Sequence, residues 1–221
     1  MHFVKDNFKW TKALLAAALC LWVAGCPSDN IYSKIQPTYN LTAHQDRKIY
    51  IWVEAPRSAA ADPDAAEALG RAIRNYLLTR VKVNPQNIIW EQAEPNASRH
   101  VIQSPQAVAL QTGAELVLFV RIEDYELLPM HIRNYHSGRM LTRTVLLDAV
   151  TGQTLWPEVQ QGKMHDIVIE LGQGDRAETL SRLTDGSAHC ILRNLYPVAK
   201  MHYRHSDERV SSQEIFELET F

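Results

Sequence analysis

Histidines and carboxylates are where catalysis or metal binding would begin in this 221-residue chain. His131 and His136 share one polar segment, and His202-x-x-His205 has a spacing that would put both rings on one face of a helix. No acid or cysteine stands beside either pair in a recognised ligand spacing, so they read as solvated loop histidines and no metal is expected. Glu123, Asp124, Asp148, Asp166 and His165 are the acid–base candidates, and none belongs to a diagnostic motif. Gly172-Gln173-Gly174 is too short for a phosphate loop and lacks the following lysine and hydroxyl residue, while Gly-x-Ser-x-Gly and His-Glu-x-x-His are absent. The expectation is a protein without catalysis. Its alternative, a small metal-dependent hydrolase, would need His131, His136 and His165 to converge with a carboxylate in one pocket.

Residues suited to holding another protein are easier to find. Trp156 and Pro157 end a predicted hairpin, and an exposed aromatic there would be a first choice for a contact. Arg133-Asn134-Tyr135-His136-Ser137-Gly138-Arg139 mixes aromatic and cationic side chains in a predicted loop, making Arg133, Tyr135 and Arg139 further candidates. Hydrophobic residues at 46% against 22% charged indicate a globular chain with one packed core. Residues 1–25 hold Lys5, Lys9, Lys12 and Asp6, so of 23 basic and 25 acidic residues 20 and 24 remain beyond them, a net charge of −4. That balance excludes the basic footprint of a nucleic-acid binder.

These residues need a scaffold, and the pattern supplies one. Arg47–Glu54 alternates Ile49, Ile51 and Val53 with Tyr50 and Trp52, a central strand apolar on both faces. Asp62-Pro63-Asp64 is a helix start, followed at helical spacing by Leu69, Ala72, Ile73, Tyr76 and Leu77. Asn87–Trp90 makes a second strand, and Ser104-Pro105 opens a short helix that stops at Gly113. Leu116–Val120, within the strand 115–125, is the best candidate for the sheet centre. Leu127–Gly138, with Pro129 and Gly138, reads as a long irregular connection. Met140–Ala149 and Thr154–Trp156 form a hairpin around Val150-Thr151-Gly152-Gln153, with His165–Glu170 extending or resuming the return strand. A last helix, 176–195, carries Leu180, Leu183, Cys190 and Ile191 on one stripe and is ended by Pro197. The fold expected is α/β (α+β): one mixed sheet of about five strands with three helices, in the order β-α-β-α-β-β-β-α, spanning 47–197. Residues 198–221 read as a polar acidic tail.

Ahead of the domain, cationic Lys5, Lys9 and Lys12, the apolar run Ala13–Val23 and the small pair Ala24-Gly25 give the order of a cleavable signal peptide over residues 1–25. The run is too short to span a bilayer. Residues 26–46, beginning at Cys26, read as a tether. Cys20 leaves with the signal, and Cys190 then has no intrachain partner if Cys26 is modified, so no disulfide framework is expected.

Val23-Ala24-Gly25-Cys26 resembles the lipobox of bacterial lipoproteins, cleaved between Gly25 and Cys26. The resemblance implies a covalent diacylglyceryl group and an N-acyl chain on Cys26, with no other cofactor. Because Pro27 is not the aspartate that retains lipoproteins at the inner membrane, it also implies the periplasmic face of the outer membrane. The element order, with Gly113-Ala114-Glu115-Leu116-Val117-Leu118 and Leu147-Asp148-Ala149-Val150-Thr151-Gly152-Gln153-Thr154-Leu155-Trp156, resembles a second group of envelope proteins. These are the curli-secretion lipoproteins, the lipoprotein activators of penicillin-binding proteins and the amino-terminal domain of the Tol translocation protein. That likeness implies a non-catalytic protein-binding or assembly factor, or else a subunit of a secretion or transport assembly.

Overall fold

The computed structural model describes residues 34–54, 63–90, 105–159, 161–199 and 209–211. The signal segment and Cys26 lie outside them, as do Asp62, Ser104, His202 and His205. The strands are β1 Lys34–Ile35, β2 Ile49–Glu54, β3 Ile88–Ile89, β4 Leu116–Pro129, β5 Tyr135–Asp148, β6 Thr154–Trp156, β7 Lys163–Gln173, β8 Val198–Ala199 and β9 Arg209–Ser211. The α-helices are α1 Pro63–Tyr76, α2 Pro105–Thr112 and α3 Arg176–Leu192.

One open mixed sheet runs β3-β2-β4-β5-β7-β9, with β6 also paired to β5. This is the expected class and order. β3, β2 and β4 are parallel, whereas β4, β5 and β7 are antiparallel. The predicted fifth strand is two pieces on one edge of β5: β6 lies beside Leu146 and Leu147, and β7 takes Tyr135 to Thr144. Helices α1 and α3 pack on each other and on the sheet. Between them lie Ile49 and Ile51 of β2, Leu116, Leu118, Val120 and Ile122 of β4, and Ile73 and Leu183 of the helices. The two parallel crossovers, β2–α1–β3 and β3–α2–β4, step along the sheet in opposite directions, so right-handed connections place α1 and α2 on opposite faces.

The stretch expected as a long connection, 127–138, is instead the far half of a hairpin. Strands β4 and β5 pair from Leu116 with Asp148 out to Pro129 with His136, leaving only residues 130–134 to turn the chain. Pro129 is tolerated because it is the last residue of its strand. Gly138 is not a loop glycine but a close approach: a Cβ there would lie 2.6 Å from Leu183 Cδ1, so its absence lets α3 lie on β5.

Two boundaries also differ from expectation. The domain does not begin at 47, because β1 pairs antiparallel with β8 and Leu41, fully buried, bonds through its N–H to the Leu195 carbonyl at 2.8 Å. The tail from 198 contributes β8 and also β9, which runs parallel to β7. Apolar side chains at Leu41 and Val198 decide both cases, since each has core to enter.

Candidate functional site

Strand β5 carries residues from most of the predicted sites, and its two faces behave differently. Leu141, Val145 and Leu147 are half-buried on the side away from α1 and α3, whereas Thr142, Thr144 and Leu146 are fully buried beneath the helices. Thr142 is opposite His165 of β7, which is itself buried and stacks on Trp156 with ring centroids 6.3 Å apart. Thr142 Oγ1, Thr144 Oγ1 and His165 Nε2 have no hydrogen-bond partner among the described residues. Burial, with the nearby charges of Lys163 and Arg193, pushes the His165 ring down to about 3, so it is neutral near pH 7.

The other acid–base candidates, the four carboxylates, are each engaged by arginine. Arg139 grips Asp166 through two bonds of 2.9 Å and reaches Asp124 at 3.3 Å. Arg143 bonds Glu123 at 2.6 Å and the Gln161 carbonyl at 2.9 Å. The bidentate pair is the strongest of these contacts, and together they stitch β4 to β5 and β5 to β7.

A third cluster sits at the base of the hairpin. Asp148 accepts from the Thr151 N–H at 2.9 Å, the Thr151 hydroxyl at 3.0 Å and Arg47 at 2.9 Å. Arg47 also reaches Glu115 at 3.3 Å and Tyr39 Oη at 3.2 Å. The Thr151 bonds and then the Arg47 guanidinium hold the Asp148 carboxyl at about 2. Gly152, with φ of 71°, closes this turn as the motif requires.

The structure therefore sorts the predicted residues. Trp156 is only 5% exposed, because it fills the space beside His165 and under the helices, and it is withdrawn as a contact; the half-buried Pro157 follows it through a cis peptide bond. Arg139 is taken by Asp166, Tyr135 opens β5, and of these three candidates Arg133 is the one in the exposed turn. His131 lies in that same turn, and His136 Nδ1 is 3.2 Å from the Gly174 carbonyl. His165 pairs with Thr142, six residues along β5 from His136 and so about 20 Å away. The three histidines are not brought together, and no group of three or more His, Cys, Asp or Glu among the described residues could hold a metal ion. Cys190 is buried in α3 and takes part in no disulfide.

Sequence reasoning missed two arrangements. Tyr76 Oη lies 2.8 Å from His189 Nδ1 and 2.9 Å from Tyr196 Oη, a polar link between α1 and α3 hidden among apolar positions. The hairpin tip presents Leu128, Met130, Ile132 and Leu171 to solvent. The signal for the tip was present in Leu127-Leu128-Pro129-Met130-His131-Ile132, but the proline made it read as a loop.

No family model and no curated protein matches this chain. Among solved structures it is similar to the PelC dodecamer from Paraburkholderia phytofirmans, at 12% identity and a TM-score of 0.44, covering 73% of this chain and 93% of that one. It is also similar to lipoprotein GNA1162 from Neisseria meningitidis, at 16% identity and a TM-score of 0.39, covering 66% and 97%. A third is the hypothetical protein CT253 from Chlamydia trachomatis, at 12% identity and a TM-score of 0.31, covering 56% and 73%. No helix among the described residues is long and apolar enough to cross a membrane.

Proposed function

We propose that this chain is a lipid-anchored envelope protein, held on the periplasmic face of the outer membrane through Cys26, whose folded domain binds or steadies another protein and performs no catalysis. The observation that carries the reading is Val23-Ala24-Gly25-Cys26 behind a cationic, then apolar, leader. Acyl chains on Cys26 would each contribute about 0.8 kcal/mol per buried methylene, enough in combination for stable anchoring. The first described residue, Lys34, is eight residues beyond Cys26, so the domain would sit within about 28 Å of its anchor. The ion-paired acids and the separated histidines support a binding role over hydrolysis. The narrower kinship with the curli-secretion, penicillin-binding-protein-activator and Tol group belongs to the same proposal.

Replacing Cys26 tests it directly. Cys26→Ser should abolish metabolic labelling with palmitate and release the protein from membranes. Unchanged membrane association would overturn the anchor. Crosslinking in intact cells should then capture an envelope protein on the anchored domain, and a hydrolytic activity of the purified chain would refute the binding reading.

A further inference from the structure

Three core atoms without a hydrogen-bond partner among the described residues lie together: Thr142 Oγ1, Thr144 Oγ1 and His165 Nε2. Thr142 and Thr144 are two apart on β5, so both side chains rise from one face, and His165 is directly opposite Thr142 on β7. The threonines are 0% exposed and the histidine 2%. A buried hydroxyl left unpaired costs free energy that a methyl of the same shape would not, so two of them beside an unpaired ring nitrogen call for a ligand.

Helix α3 covers the three atoms, and its register over β5 can be followed from Gly138, which lies under Leu183. Four helical residues advance about 6 Å and two strand residues about 6.6 Å, so Ser187 comes level with Met140 and the Cys190–Ile191 turn level with Thr142. Lys163, opposite Thr144, confirms the direction by donating to Asn194 Oδ1 just past the helix, at 3.3 Å. The polar groups of this stretch turn to the helix's own carbonyls: the Ser187 hydroxyl donates to Leu183 at 2.8 Å and the Asn194 amide to Cys190 at 2.7 Å. What α3 sets above the threonines is therefore small side chains, with space beneath them and no donor directed into it.

The imidazole is neutral near pH 7, and the nearby charges of Lys163 and Arg193 disfavour a metal ion. Two hydroxyls and a neutral ring suit a small uncharged ligand that both donates and accepts. Three polar partners are also the usual complement of a buried water molecule. We propose that ordered water is bound between β5, β7 and α3, held by Thr142 Oγ1, Thr144 Oγ1 and His165 Nε2. It ties β5 to β7 beneath the helix, takes either role toward Nε2, and accounts for threonine instead of valine at two core positions. The site does not depend on what Cys26 carries.

Water-selective NMR of the full chain in detergent, with labelled threonine methyls, tests this. Long-lived water should give cross-peaks to the Thr142 and Thr144 methyls and none to Thr184, which is equally buried but donates to the Leu180 carbonyl at 3.0 Å. Thr142→Val and Thr144→Val keep the side-chain shape, and each should lower the folded-to-unfolded ratio in urea about tenfold, because the water and its remaining partners lose a bond. In a His165→Phe background Thr142→Val should cost only about twofold. Valine variants as stable as the parent, or more stable, would overturn the site, since unpaired hydroxyls in a dry core behave that way. An equal cost with and without His165 would also overturn it. Missing cross-peaks in the parent would do so without any variant having to fold.

Discussion

The two ends of the β4–β5 hairpin are made from the same strands and have opposite fates. At the base, Asp148, Arg47, Thr151 and Glu115 satisfy one another, and Trp156 is sunk beside them against the core. At the tip, four large apolar side chains face outward and a single exposed arginine, Arg133, stands in the turn. The base is where chain segments far apart in sequence are joined, since Arg47 and Asp148 are 101 residues apart. The tip holds surface that the described residues do not use. In this protein, the hairpin's paired and packed groups lie at one end and its exposed apolar surface at the other.

Acid should break this contrast most severely, and from the middle of the hairpin. His165 is held at about 3 in the folded chain against about 6.5 when exposed, so below pH 6.5 the unfolded chain takes up a proton that the folded chain refuses. Stability is therefore complete above about pH 6.5 and falls with acid, by about 3 kcal/mol between pH 7 and pH 4 from this group alone. Urea unfolding at several pH values measures it, and His165→Phe, which keeps a ring against Trp156, should flatten the dependence. An unchanged slope in that variant would show that His165 is not the group responsible. Next in size is Gly138→Val, which forces a side chain against Leu183 and should cost about 1–3 kcal/mol by the same measurement. A neutral result would mean that α3 does not rest on the hairpin there.

The base was legible in the sequence and the tip was not, for physical reasons. Asp148, Thr151 and Gly152 act within five residues of one another, so their turn is written locally. Ile49, Ile51 and Leu116–Val120 alternate or run as a buried strand must, which made the parallel half of the sheet readable. Gly138 and Pro129 misled because their roles depend on α3 and on a strand end, neither of which a local window contains. Which face of β5 turns inward was not written locally either: two hydroxyl residues, Thr142 and Thr144, face the helices while Leu141 and Val145 face away, which the sheet's two-sided cover allows. Ion pairs such as Arg139 with Asp166 join residues 27 apart and leave no spacing signature at all.

Within the base, Asp148→Ala should cost about 1 kcal/mol, because it removes the acceptor of the Thr151 turn together with the partner of Arg47. The sign of its pH response is the same as that of His165 but lies lower. The carboxyl is held at about 2, below its ordinary 3.8, so its contribution is present above about pH 4 and lost as pH falls toward 2. Thermal unfolding of the variant should therefore match the parent most closely near pH 2 and differ from it at pH 6. A difference that persists unchanged to pH 2 would point to the lost turn alone and not to the charge.

The smallest effects separate the two ends most sharply. Val150 in the base turn is 72% exposed and Ile132 in the tip is 56% exposed, so by exposure alone both should tolerate serine within about 0.5 kcal/mol. Val150→Ser should be neutral, because its side chain stands over a turn that the Asp148 bonds close without it. Ile132→Ser should be equally neutral in the isolated chain. Urea titrations of the two variants measure both. A cost of about 1 kcal/mol at Ile132 with none at Val150 would show that the tip is covered in the intact chain, so that the two ends differ in contact as well as in packing.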